Sequence, residues 1–146
     1  MLLACDPGKH ACGLALFGGQ TYPTNRLIKA CYVKTEDLAH VLGNWAFDRF
    51  VIERQYLTPK HPRPQDIVEL AYAAGRAEGI ARVQTRDITE LQPIRWKGNV
   101  PKAIMTARIL AKLDQTEVAR IEKVGYKDHN TIDAIGIGLY ALGRLT

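Results

Sequence analysis

The first seventeen residues, MLLACDPGKHACGLALF, constrain this chain more than any other stretch. A short apolar run ends in Asp6, Pro7-Gly8 turns the chain, and a second apolar run from Cys12 to Phe17 leads back. Run, turn and run read as two antiparallel strands with a carboxylate at the end of the first. Asp is a poor strand residue, and one at the inner end of a buried strand needs a compensating partner. A metal ion, a basic side chain or water at the sheet edge would each serve. An acid that merely starts a turn also explains Asp6 taken alone. Glu53 and Asp133 change that balance.

Beyond the hairpin, a third strand is expected within Leu27 to Val33, completing a meander. Thr35, with Glu36-Asp37 behind it, opens a helix running to about Trp45, because acids stabilise a helix N-terminus. Arg49 to Tyr56, RFVIERQY, is the next strand, and its run Phe50-Val51-Ile52 suits a central position. Glu53 closes that run as Asp6 closes the first, so neighbouring strands would set the two acids side by side. A strand-end acid paired with Arg54 or another cation is the plainer alternative. Leu57 to Gln65 reads as loop, and Asp66 to Arg82 as a helix. The small-residue run Ala71 to Gly75 is expected to pack on the chain's own sheet rather than on a partner subunit.

Val83 to Asp87 is predicted as a short fifth strand, and Ile88 to Val100 as irregular. Helices are expected over Pro101 to Leu113 and over Gln115 to Val124. The last helix begins near Asp128-His129-Asn130 and ends at Leu142, with Ile132, Ile135, Leu139 and Leu142 as its buried stripe. Asp133 sits beside that stripe near the helix start. Strands first, then strands alternating with helices, make an α/β fold around one mixed sheet.

The 146 residues read as a single domain, 1–146, able to bury a core without disulfides or a structural metal. No stretch approaches the ~20 apolar residues of a transmembrane helix, and the N-terminus has no secretion-signal pattern. Cys5, Cys12 and Cys31 form no C-x-x-C pair and fit a reducing, cytoplasmic setting with no membrane partner. Formal net charge is +5. Between Arg95 and Lys127 eight cations face three acids, and Arg54 to Arg63 adds three cations and no acid. This asymmetry favours a polyanionic partner, with a solvated basic face as the alternative.

Three acids therefore stand at two strand ends and one helix start. Carboxylates gathered at one point must be protonated, solvated or neutralised by a cation. Magnesium or manganese suits such hard oxygen ligands. Two ions roughly 3.5–4 Å apart would suit in-line phosphodiester hydrolysis.

LLACDPGKHACGLALF, FVIERQY and HNTIDAIGIGLYAL resemble the three active-site segments of RuvC-type Holliday-junction resolvases, within the ribonuclease-H-like nucleases. The compact length and ITELQPIRWKGNVPK are similar to bacteriophage-encoded versions. The resemblance implies a five-stranded mixed sheet flanked by helices, a homodimer, and magnesium- or manganese-dependent symmetrical nicking of four-way or branched DNA. It implies two ions per active site, and a bacterial or phage-infected host cytoplasm. Asp6, Glu53 and Asp133 match the family's acids. Tyr56 matches an aromatic that stacks on unpaired junction bases, and Lys102, with Lys97, matches basic residues facing the scissile phosphate. Arg54 and Trp96 are assigned to the same DNA-contacting surface.

One departure stands out. The family carries an Asp or His three residues before the final acid, where this chain has Asn130. His129 shares a helical face with Asp133 at i and i+4 and becomes the expected fourth ligand or general base, with Asp128 as runner-up. A related nuclease acting on RNA or branched replication intermediates would share these ligands. A non-catalytic junction-binding protein would not need the acids. A sugar-kinase-like ATPase would need a second lobe.

Overall fold

The computed structural model describes residues 1–19, 24–56, 63–122 and 128–145. Its centre is a five-stranded sheet in the order β3-β2-β1-β4-β5. The strands are β1 (Leu2–Pro7), β2 (Ala11–Phe17), β3 (Leu27–Lys34), β4 (Arg49–Glu53) and β5 (Asp87–Leu91). β1, β2 and β3 form the antiparallel meander, while β4 lies parallel to β1 and β5 parallel to β4. The helices are α1 (Leu38–Gly43), α2 (Pro64–Ala81), α3 (Pro93–Trp96), α4 (Lys102–Ala111), α5 (Gln115–Val118) and α6 (His129–Ala141). This is the α/β architecture with a mixed sheet expected from the sequence.

Every residue of β1 and β2 is buried, so these strands alternate between two cores rather than between core and solvent. Leu2 and Ala4 share one core with Phe17, Val51, Trp96, Ile109 and the α6 stripe Ile132, Ile135 and Leu139. Leu3 and Cys5 share the other with Phe50, Ile52, Leu38, Leu42 and the α2 residues Ala74, Ala77 and Ala81. Continuing the alternation, Asp6 follows Leu2 and Ala4, and Glu53 follows Val51, so both acids belong to the α6 side. Of the small-residue run, Ala74 packs on the chain's own sheet, as do Ala77 and Ala81 after it, whereas Ala71 is exposed. Gly75 and Gly79 face open space instead, with no atom within 4 Å of where a Cβ would stand. No helix among the described residues is long and apolar enough to cross a membrane.

The fifth strand lies four residues later than predicted. Val83 is 87% exposed, and the chain around it is a turn pinned to the α1–β4 side by Gln84 on the Leu42 carbonyl and Thr85 on the Asp48 carbonyl. A β-branched residue here satisfies strand propensity without a neighbour to pair with. β5 instead occupies the stretch expected to be irregular, together with the single turn α3. β4 also stops at Glu53 rather than Tyr56: Arg54 N donates to Leu91 O, β5 ends there, and nothing remains to extend the ladder. The helix expected over Gln115 to Val124 is one turn with a capping box between Asp114 and Glu117. Residues 123–127 and 57–62 fall outside the described set.

A buried ion pair ties the C-terminus to the sheet. The Glu117 carboxylate, almost fully buried, accepts from Arg144 at 2.7 and 2.8 Å and from Leu27 N at 2.7 Å. Burial pushes its carboxyl up, but the Arg144, Leu27 and Asp114 donors outweigh that and hold it down to about 2. The folded form therefore binds this proton less readily than the unfolded chain. The stability it brings is fully present above about pH 4.3 and is lost as pH falls from there toward 2. Arg144→Met strands a buried carboxylate, so it is expected to cost about 3–5 kcal/mol in a denaturant titration at pH 7. The deficit should shrink markedly at pH 3, where the unfolded reference is already protonated.

Candidate active site

The parallel register brings the first two acids together. Cys5 pairs with Ile52, so Asp6 and Glu53 are the next neighbours at the carboxyl ends of β1 and β4, where open α/β sheets place their ligands. Both are buried, at 7% and 3% exposure. Asp6 lies opposite Gly13 of β2. A Cβ on Gly13 would meet Asn130 O at 1.9 Å and Thr131 N at 2.5 Å. The first turn of α6 thus rests directly on β2 beside Asp6, which sets Asp133 over the same sheet end. The three acids expected from sequence do converge.

A lysine stands between two of them. Lys97 Nζ lies 3.3 Å from Glu53 Oε2 and 3.2 Å from Asp133 Oδ2. Burial works to lower the Lys97 ammonium, yet the carboxylates of Glu53, Asp133 and Asp6 outweigh it and hold the ammonium above its ordinary value. Asp6 moves well above the usual carboxylate range, first because it is buried and then because Glu53 and Asp133 repel its charge, with Lys97 opposing. Trp96 Nε1 donates to Glu53 Oε2 at 2.7 Å and orients that carboxylate. Sequence reasoning offers Lys97 only as a phosphate contact; its place between the acids depends on α3 folding back onto the sheet end, which no local signal announces.

The remaining expected residues are distributed unevenly. Lys102, exposed at the start of α4, shares with Asp133, Lys97, Gly98, Asn99 and Met105 a cleft of about 440 Å³. Tyr56 is 52% exposed and lines a second cleft of about 550 Å³ with Arg95 and Tyr140. Its hydroxyl donates to Glu90 at 3.2 Å. His129 is exposed at the first position of α6. Asp128 is that helix's N-cap, its carboxylate accepting from Asn130 N at 2.8 Å and Thr131 N at 3.4 Å.

Two residues assigned to the DNA surface have partners within the chain. Trp96 is 5% exposed, its ring seated where Gly136 of α6 leaves room: a Cβ there would lie 2.6 Å from Trp96 Cζ3. Arg54 is drawn inward by Glu78 at 2.6 Å and Glu90 at 2.9 Å. Both side chains have found partners that only the folded chain supplies.

The oxygen-only donor set is of the kind magnesium or manganese takes. No three acid, histidine or cysteine side chains among the described residues are gathered closely enough to hold a metal ion as they stand.

No protein-family model matches this chain, and no curated protein matches it in sequence. Solved structures do resemble it. RuvC of T. thermophilus, determined in complex with Holliday junction substrate, superposes with a TM-score of 0.62 at 19% identity, over 97% of this chain and 94% of that one. The Fowlpox virus resolvase, determined with Holliday junction DNA, gives 0.61 at 15% identity over 99% and 100%. The yeast mitochondrial Holliday junction resolvase Ydc2 gives 0.53 at 10% identity over 99% and 81%. At these identities the likeness is one of architecture: the chain has the ribonuclease-H-like fold, a five-stranded mixed sheet flanked by helices.

Proposed function

We propose that this protein is a metal-dependent endodeoxyribonuclease that resolves four-way DNA junctions by paired, symmetrical nicks. The observation that carries the reading is the convergence of Asp6, Glu53 and Asp133 at the carboxyl ends of β1 and β4, with one cation held between the last two. Its architecture, shared with proteins solved on Holliday junctions, supports the substrate class.

In this reading Asp6, Glu53 and Asp133 hold two magnesium or manganese ions, and His129, one helical turn before Asp133, is the fourth ligand or a proton acceptor. Ions bound there supply an activated water and stabilise the leaving oxygen. Trp96 holds Glu53 in its orientation. Lys102, at the mouth of the cleft beside Asp133, faces the scissile phosphate and stabilises its developing charge. Arg108 on α4 and Lys112 just past its end, both exposed and without an ion pair among the described residues, extend the phosphate-binding surface. Self-association would use α2, where Val68 and Tyr72 are exposed around the open Gly75 and Gly79, with Val83 exposed in the turn just beyond. A homodimer sets two such sites on one junction.

The test is a nicking assay on a synthetic four-way junction and a linear duplex of the same sequences, with magnesium and with EDTA. Nicks confined to the junction and to magnesium, at matching positions in opposite arms, support the reading. Equal cutting of the duplex removes junction selectivity from it.

Tyr56 offers a finer check. Its exposed ring stands ready for a base that is already unpaired, as at the centre of an opened junction. Such stacking is worth roughly 1–3 kcal/mol, about five- to 150-fold. Tyr56→Ala is expected to reduce junction cleavage within that range and to affect less a substrate with unpaired bases at the nick site. Tyr56→Phe should be mild, because the Glu90 contact is an exposed hydrogen bond and the ring face carries the effect. Equal losses on both substrates would mean that the ring does not stack.

A further inference from the structure

Lys97 is held in the site by more than chance contact. It follows the single turn α3, whose buried Trp96 ring packs against Gly136 of α6 in the same core as Ile109 of α4. Gly98, at φ +57, turns the chain away immediately afterwards. The lysine side chain is thereby sent across the face of Trp96, with Nζ 4.8 Å from the ring centroid, and ends between Glu53 Oε2 and Asp133 Oδ2. It is 26% exposed, while the two carboxylates are 3% and 15% exposed.

A divalent ion takes these same oxygens at about 2.0–2.6 Å. An ion that close to Glu53 Oε2 and Asp133 Oδ2 would fall in the gap that Nζ now spans, and would add a second positive charge within contact distance of the first. Lysine and metal compete for these two oxygens. The lysine has somewhere to go: its flexible stem borders the cleft shared with Lys102, Asn99 and Asp133, which is open to solvent.

We propose that Lys97 is a displaceable internal counter-ion, which holds Glu53 and Asp133 together until a divalent metal expels its ammonium into the cleft beside Lys102. This inference rests on the metal-binding reading of the site and adds to it a competition between the chain's own cation and the ion. One consequence is a second positive charge delivered to the phosphate-facing cleft only once metal has bound. Another is that metal affinity is set below what three carboxylates alone would provide.

The test measures metal binding, not cleavage. Manganese titrated into the wild-type protein and into Lys97→Met and Lys97→Gln, followed by calorimetry at constant pH, is expected to bind the variants at least about tenfold more tightly, because the competing charge is gone. Equal or weaker binding by the variants overturns the proposal and leaves the metal site standing. Absence of binding to all three proteins overturns both. A second measurement needs no variant. Acetic anhydride labelling of the wild-type protein, read by mass spectrometry, should modify Lys97 slowly in EDTA and several-fold faster in magnesium, with Lys29 and Lys112 unchanged as internal references. A Lys97 labelling rate that magnesium leaves unaltered overturns the displacement.

Discussion

Asp6→Asn is expected to lower junction nicking on the order of a thousandfold or more while leaving junction affinity within about threefold, and to make the metal-free protein more stable. The first effect follows from the place of Asp6. It stands next to Glu53 in register and is pushed by burial and by both neighbouring acids toward its neutral form, so its charge is tolerated only beside a cation. Asn keeps the shape and removes the charge. Junction affinity should persist because phosphate contacts would come from Lys and Arg elsewhere. The stability gain has a definite sign. A carboxyl whose folded value is raised costs stability once pH climbs past the unfolded value near 3.9, and the cost is complete above the folded one. The Asn variant escapes that cost, so its melting temperature in EDTA at pH 8 should exceed the wild type's, by about 2–4 °C for each kcal/mol recovered. At pH 4 the two should nearly coincide. Wild-type nicking by the variant would remove Asp6 from the chemistry.

Gly13→Ala is expected to damage both fold and site through one displacement. The new methyl would stand 1.9 Å from Asn130 O and 2.1 Å from its carbonyl carbon. These are backbone atoms of α6, so no side chain can swing aside. The helix start must move by more than an ångström, and Asp133, one turn further on, moves with it. Overpacking of this kind costs about 1–3 kcal/mol or more, and a misplacement of that size in a reacting site costs about a hundredfold in rate. Thermal melts and single-turnover nicking should therefore fall together. Gly43→Ala is the control: nothing lies within 4 Å of its Cβ position, and it should be neutral or slightly stabilising. A Gly13 variant with normal melting and normal nicking would mean that α6 does not rest on β2 as described.

Which parts of this were legible beforehand has a physical pattern. Asp6 and Glu53 could be read because each interrupts an apolar run at the end of a buried strand, and an acid there is costly enough to be informative. Asp133 could be read because the stripe Ile132, Ile135 and Leu139 fixes the phase of α6. β5 could not, because an edge strand bonded only to β4 carries little hydrophobic signal: its residues are exposed or half-buried. Val83 misled for the converse reason, a strand-forming side chain left in solvent beyond a helix end. Arg54 and Trp96 looked like nucleic-acid contacts in one dimension. Glu78 arrives from α2 and Glu90 from β5 to claim the first, and Glu53 claims the indole of the second. The role of Gly13 is equally invisible locally, since it depends on a helix that begins 116 residues later in the chain.

The measurement that bears most directly on the central claim uses a supercoiled plasmid whose inverted repeat extrudes a cruciform. Two symmetrical nicks made across one junction by paired sites convert that plasmid to linear DNA, whereas independent single nicks release the supercoils, collapse the cruciform and leave nicked circles. Linear product is expected in magnesium from the first time points, cut at the base of the cruciform, with none from a plasmid without the repeat and none in EDTA or with Asp6→Asn. Nicked circles as the sole product, or equal cutting of both plasmids, would contradict the claim.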